Sequence, residues 1–171
     1  MSDTLRLFFA LPLSPPLAGR IARWRHSWHC GGTQVHPHDL HLTLAFLGSQ
    51  PLSRLDDLLS AGAQVAGIRP FDLCLDHLAL WNDGLLHLAP SHPPPELLGL
   101  QQKLCECLAQ YGFVLEQRPY RPHLTLARRA SLPANPPTTG FGWRADKFAL
   151  FHSEPATIGP RYRQIDAWKL A

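Results

Sequence analysis

HLTLAFLG at residues 41–48 and RPHLTLAR at residues 121–128 share the string HLTLA. On a strand, successive side chains point to opposite faces. His41 and Thr43 therefore share one face, and Leu42 and Leu44 the other. His123 and Thr125 stand in the same way against Leu124 and Leu126. The leucines predict a face buried against helices, and the histidine and threonine look away from it. A single copy reads as an ordinary half-exposed strand. The repeat changes that reading, because a core needs the leucines but has no use for His and Thr repeated in register.

Outward from these two strings, the flanking elements repeat as well. Leu5 to Leu11 reads as an apolar strand, after which Pro15 and Pro16 open a helix from about Leu17 to Trp28. His41 to Leu47 is the second strand. Pro51 and Ser53 open a helix to about Ala66, with Leu52, Leu55, Leu58, Leu59 and Val65 at roughly helical spacing. Phe71 to Leu80 and Gly84 to Ala89 predict a hairpin across Trp81, Asn82 and Asp83. Pro93 to Pro95 open a helix to about Tyr111, closed by Gly112. His123 to Ala127, Lys147 to Phe151 and Tyr162 to Leu170 are further strands, and 131–140 is a proline-rich loop. Leu7 lies 34 residues before His41, and His87 lies 36 before His123. DHLALW at 76–81 and DKFALF at 146–151 follow the two copies in turn. Three matched elements in one order predict two related lobes. The expectation is an α+β fold, a single domain over 1–171 with two pseudo-symmetric lobes. Two mainly antiparallel sheets face a central cleft, with helices on the outer faces.

Composition bounds the function. The 171 residues are 45% apolar and 17% charged, enough for a core and too little charge for a disordered chain. No apolar run approaches the roughly 18 residues of a membrane span. MSDTLRLFFALPL at the start reads as a first strand, not as a signal peptide. The net charge of +3 does not by itself imply nucleic acid. Thirteen of the sixteen basic residues are Arg, which suits bidentate phosphate binding. Cys30, Cys74, Cys105 and Cys107 match neither a zinc ribbon nor a CxxC motif, so reduced cytoplasmic thiols are the expectation.

Two histidines facing one groove can supply an acid and a base together, since imidazole titrates near pH 6.5. Each threonine offers a hydroxyl to the same substrate oxygens. This constellation suits metal-free transfer at phosphorus. One His activates the nucleophile and the other protonates the leaving oxygen. Arg118, Arg121, Arg128 and Arg129 lie near enough in sequence to help neutralise a phosphate.

The paired HLTL strings, the opening RLFFALPL and their spacing resemble the HxTx motifs of the 2H phosphoesterases, in particular the bacterial RNA 2′,3′-cyclic phosphodiesterase branch, also called 2′-5′ RNA ligase. The resemblance runs from about Arg6 to Trp168. It implies a bilobal fold with both motifs lining a cleft, and metal-independent hydrolysis of an RNA 2′,3′-cyclic phosphate to a 2′-phosphate. It implies His41 as proton donor and His123 as the acceptor that activates water. Thr43 and Thr125 hold the non-bridging oxygens, no cofactor is needed, and 2′-5′ ligation is the reverse reaction. The expected partner is an RNA or oligonucleotide end, handled by a cytoplasmic monomer.

Secondary candidates complete the reading. Arg121 shares parity with His123. Arg128 has the opposite parity and needs a bulge or a strand end to reach the cleft. Phe9 and Phe46 are candidates for base stacking. Ser153, Arg161 and Tyr162 sit in HSEPATIGPRYRQI, a connection that can cover the cleft. Other readings stay open: a different cyclic phosphate or a 2′-5′ oligonucleotide as substrate, a non-catalytic RNA-end-binding module, or a metal-dependent hydrolase built on His26, His29, Cys30, His36, His38 and His41.

Overall fold

The structure is a computed structural model that describes residues 3–157 and 161–171. Strand β1 (Thr4–Pro12) leads into helix α1 (Pro15–His26). Ser14 caps α1 by accepting from the Leu17 amide, and two prolines fill its first turn. Leu17, Ile21 and Arg25, four residues apart, make the buried stripe. The two-residue β2 (Thr33–Gln34) and a 3₁₀ turn at Pro37–Asp39 precede β3 (His41–Pro51). A second 3₁₀ turn, Leu52–Arg54, precedes α2 (Leu55–Gln64). Then come β4 (Phe71–Leu75), β5 (His77–Leu80) and β6 (Leu86–Ala89). Helix α3 (Pro95–Gln110) buries Leu97, Leu100, Leu104 and Leu108, and Gly112 ends it at a φ of 81°. The chain finishes with β7 (Leu124–Arg128), β8 (Phe141–Ala145), β9 (Lys147–Glu154) and β10 (Arg161–Lys169).

The fold is α+β, with every strand pair antiparallel. The large sheet runs β10-β9-β1-β3-β7-β6-β5, with β2 on β7, and β4 pairs with β8 in a small second sheet. The two lobes meet at equivalent positions. β3 and β7 touch through Leu42 and Leu124, the same leucine of each HLTLA. β4 and β8 pair around Leu73 and Trp143. β5 follows β4 in FDLCLDHLALW at 71–81 as β9 follows β8 in FGWRADKFALF at 141–151. Leu42, Leu44, Leu124 and Leu126 are all buried, and they join α1, α2 and α3 in one core. A fully buried leucine contributes about 1.5–3 kcal/mol, so these positions hold each strand in its register.

Several boundaries differ from expectation. The stretch 71–80 is not one strand, because it breaks at Asp76. That carboxylate accepts from the Ser91 amide at 2.8 Å and from the Ser91 hydroxyl, so the chain turns from one sheet to the other. Strand β8 was not anticipated, since Gly142 and Arg144 dilute its apolar signal. Helix α1 stops at His26, two residues short of Trp28. The expected connection after Ser153 is mostly strand. Ser153 lies within β9, which ends at Glu154, and Arg161 and Tyr162 begin β10, while 158–160 lie outside the described residues. Among the described residues no helix is long and apolar enough to cross a membrane.

Candidate active site

Both HLTLA strands carry the same irregularity at the same place. On β3, Thr43 pairs with Ala10 and Ala45 with Phe9, so Leu44 is an extra residue. On β7, Thr125 pairs with His87 and Ala127 with Leu86, so Leu126 is extra. A β-bulge of this kind flips the parity of the residues beyond it. Residues 41–46 and 123–128 accordingly show one burial pattern: half-buried, buried, half-buried, buried, buried, exposed. The bulge returns Phe46 and Arg128 to the face of the histidines and threonines, and it supplies the condition that Arg128 needed.

One cleft of about 440 Å³ gathers His41, Thr43, Phe46, His123, Thr125 and Arg128. Arg6, Phe8, Val35, Leu85, Ser153, Pro155 and Tyr162 complete its lining. The two imidazoles are held alike. His41 Nδ1 lies 2.7 Å from the Asp39 carbonyl, and His123 Nδ1 lies 2.8 Å from the Arg121 carbonyl. Each Nδ1–H donates to the carbonyl two residues earlier, so each Nε2 is left for chemistry. His41 Nε2 also meets Thr43 Oγ1 at 3.0 Å.

The surroundings of the two rings differ. Phe8 stacks on His41 at 4.8 Å between ring centroids, and Tyr162 meets it edge-on at 5.0 Å. Buried Asp39 accepts from Arg161 Nε at 2.9 Å and from the Tyr162 amide at 3.1 Å, which fixes the start of β10 over His41. His123 instead packs against Trp81 at 4.5 Å and lies 5.5 Å from the buried His87 ring. Burial pushes the His41 pKa down to about 4, with His123 and Arg128 adding to the fall and the Asp39 carbonyl and carboxylate opposing it. Burial also lowers His123, helped by the guanidinium groups of Arg121 and Arg128.

The remaining candidates fall in different places. Phe9 is a correction. It is fully buried against Phe148 and Trp168, and its neighbour Phe8 faces the cleft instead. Two adjacent phenylalanines look alike in sequence, and only the strand's register separates them. Phe46 is 44% exposed, with the Arg6 guanidinium 4.8 Å above its ring. Arg121 is not among the cleft-lining residues; its guanidinium rests on Trp81 at 5.0 Å. Arg118 pairs with Glu116 at the surface, and Arg129 reaches Thr33. Trp81, placed in a turn by the sequence pattern, was missed as a packing partner of His123. Among the described residues, no three His, Cys, Asp or Glu side chains are arranged to hold a metal ion; of the histidines of 26–38, His36 and His38 meet edge-to-face at 4.9 Å.

Known proteins resemble this chain in sequence and fold. A family model described as the 2′-5′ RNA ligase superfamily matches residues 13–150. The chain is 34% identical to the Escherichia coli (strain K12) protein named RNA 2′,3′-cyclic phosphodiesterase, with 99% of each covered. It is 32% identical to the Thermus thermophilus protein of the same name, over 97% of this chain and 90% of that one. The crystal structure of Escherichia coli LigT in apo form superposes with a TM-score of 0.90 at 32% identity, covering 99% of both chains.

Proposed function

The chain belongs to the 2′-5′ RNA ligase superfamily, and on that premise we propose that it is an RNA 2′,3′-cyclic phosphodiesterase working by paired-histidine acid–base catalysis without a metal. The observation that carries this reading is the pair of equivalently bulged strands, which aim two His–Thr pairs and Arg128 into one cleft. The two His–Thr pairs match the paired HxTx motifs of the 2H phosphoesterases that the sequence resembles. The related enzymes from Escherichia coli and Thermus thermophilus bear the activity in their names.

In the proposed reaction, a cyclic phosphate enters with its non-bridging oxygens toward Thr43, Thr125 and Arg128. His123, neutral beside two guanidinium groups, takes a proton from water as the water oxygen bonds to phosphorus. The P–O3′ bond breaks, and His41 delivers its Nε2 proton to O3′. A 2′-phosphomonoester results. The roles follow the family: Arg121 and Arg128 favour a neutral His123, and at His41 the Asp39 carbonyl and carboxylate favour the charged form against the opposing His123 and Arg128. Burial opposes the charged form of His41 in the free cleft, and the anionic phosphate supplies the countercharge when it binds. The reverse reaction, attack of a 5′-hydroxyl on the cyclic phosphate, uses the same groups and yields a 2′-5′ linkage. The cleft volume suits about one terminal nucleotide, which fits an RNA end as the partner; the proposed setting is a cytoplasmic monomer.

The test is turnover of a 2′,3′-cyclic-phosphate oligonucleotide in EDTA, with the product isomer identified. Release of a 2′-phosphate supports the reading. No turnover in EDTA together with activity restored by added zinc or manganese overturns it.

A further inference from the structure

The two half-sites are close copies, yet a cyclic phosphate has two ester bonds to break. O2′ and O3′ lie on either side of phosphorus in near-mirror positions. If the acid stands beside O3′, water displaces O3′ and a 2′-phosphate forms. If the nucleotide enters turned around, the same acid protonates O2′ and a 3′-phosphate forms. Atoms balance in both cases: one P–O bond forms from water, one P–O bond breaks, and the proton taken at one imidazole is matched by the proton given at the other. The histidines and threonines cannot choose between these outcomes, because His41 and Thr43 repeat His123 and Thr125 in type, spacing and backbone anchoring.

The choice requires unlike residues at equivalent places. The bulges at Leu44 and Leu126 create one such pair, since the residue two past each bulge returns to the cleft. On one side it is Phe46, an exposed ring with Arg6 over it, and on the other it is Arg128. A forked cation draws the phosphate oxygens, and an aromatic face draws the sugar and base. Phe8 on β1 and Leu85, the residue before β6, also line the cleft, but both are apolar and discriminate little. We infer that the Phe46/Arg128 pair orients the entering cyclic phosphate and thereby selects which ester bond is cleaved. This rests on the phosphodiesterase reading and adds to it a determinant of regiochemistry. Tyr162 meets His41 edge-on and Trp81 meets His123, a difference the exchange leaves in place, so exchanging the pair shifts the product ratio without fully inverting it.

The experiment is the isomer ratio, 2′-phosphate against 3′-phosphate, from a cyclic-phosphate dinucleotide. It compares wild type, Arg128→Phe and the exchanged Phe46→Arg/Arg128→Phe chain. Both positions are exposed, so folding is not at stake. The exchanged chain is expected to raise the share of 3′-phosphate at least ~10-fold over wild type, the change that ~1.4 kcal/mol of altered binding preference produces. Arg128→Phe is expected to be slower and to move in the same direction. An active exchanged chain with an unchanged ratio overturns the inference. So does an exchanged chain without turnover, because it keeps both His–Thr pairs and one Arg–Phe pair. Absence of any product from wild type instead overturns the phosphodiesterase reading beneath it.

Discussion

Arg25, buried in α1, donates from Nη1 to the carbonyl of Leu126 at 2.7 Å, the extra residue of the β7 bulge. The same nitrogen donates to the Val35 carbonyl at 2.8 Å, and the Val35 amide also reaches the Leu126 carbonyl at 2.9 Å. A buried cation thus ties the first helix to the point where the second motif turns Arg128 into the cleft. In the other lobe the buried Tyr120 hydroxyl donates to the Thr43 carbonyl at 2.8 Å.

Replacing Arg25 with Met removes both charge-assisted bonds, taking this donor from the Val35 carbonyl and leaving the Leu126 carbonyl with the Val35 amide. Such bonds are worth about 1.5–3 kcal/mol each, so urea denaturation should show a loss of about 3 kcal/mol. Arg25→Lys should recover part of it. A Met variant as stable as wild type would show that the clamp holds nothing.

The pH dependence of kcat/KM reflects the two lowered histidines. In the proposed mechanism the working form of the free enzyme has His41 charged and His123 neutral. Both groups titrate below the usual imidazole range, so the bell-shaped profile should peak below about pH 6.5. A bound phosphate anion raises both, so the kcat optimum should lie at higher pH than that of kcat/KM. A kcat/KM optimum above about pH 7.5 would contradict this.

Stability should carry the mark of His41. Its folded pKa of about 4 lies below its ordinary value of 6.5, so the unfolded chain binds the proton more readily. The stabilisation is fully present above pH 6.5 and is lost as pH falls toward 4, by about 3 kcal/mol in all. Thermal melts of wild type and His41→Gln from pH 7.5 to 4 test it. The substituted chain should lose less stability over that range, and parallel curves would refute the assignment.

Arg128→Ala should reduce kcat/KM by about 10- to 100-fold, the range of one charge-assisted contact to phosphate. It should also move the kcat/KM optimum upward, because Arg128 lowers both histidines. Arg121→Ala should reduce kcat/KM by less than about 3-fold, since its side chain lies on Trp81 outside the cleft. Steady-state kinetics of the two variants separates them, and an equal loss for both would place Arg121 at the substrate after all.

The legible part of this chain was what strand parity controls. HLTLA occurring twice placed four side chains in the cleft and four leucines in the core. Parity also showed that Arg128 required a bulge. The bulge itself left a sign in the sequence: Leu44–Ala45 and Leu126–Ala127 are adjacent apolar pairs that break strict alternation. Phe8 and Phe9 are confused for the same reason, since register and not residue type decides between neighbours. The ion pair of Asp39 with Arg161 was out of reach, because local patterning carries no information on contacts between residues so far apart in the chain.

The most direct measurement is the single-turnover rate of wild type, His41→Ala, His123→Ala and the double variant on a 2′,3′-cyclic-phosphate oligonucleotide in EDTA. General acid and base steps are each worth about 10²–10⁴-fold, so each single substitution should lose at least ~10²-fold. Because the two groups act in one proton-transfer event, the double variant should lose much less than the product of the single losses. Near-wild-type turnover by either single variant would contradict paired-histidine catalysis in this cleft.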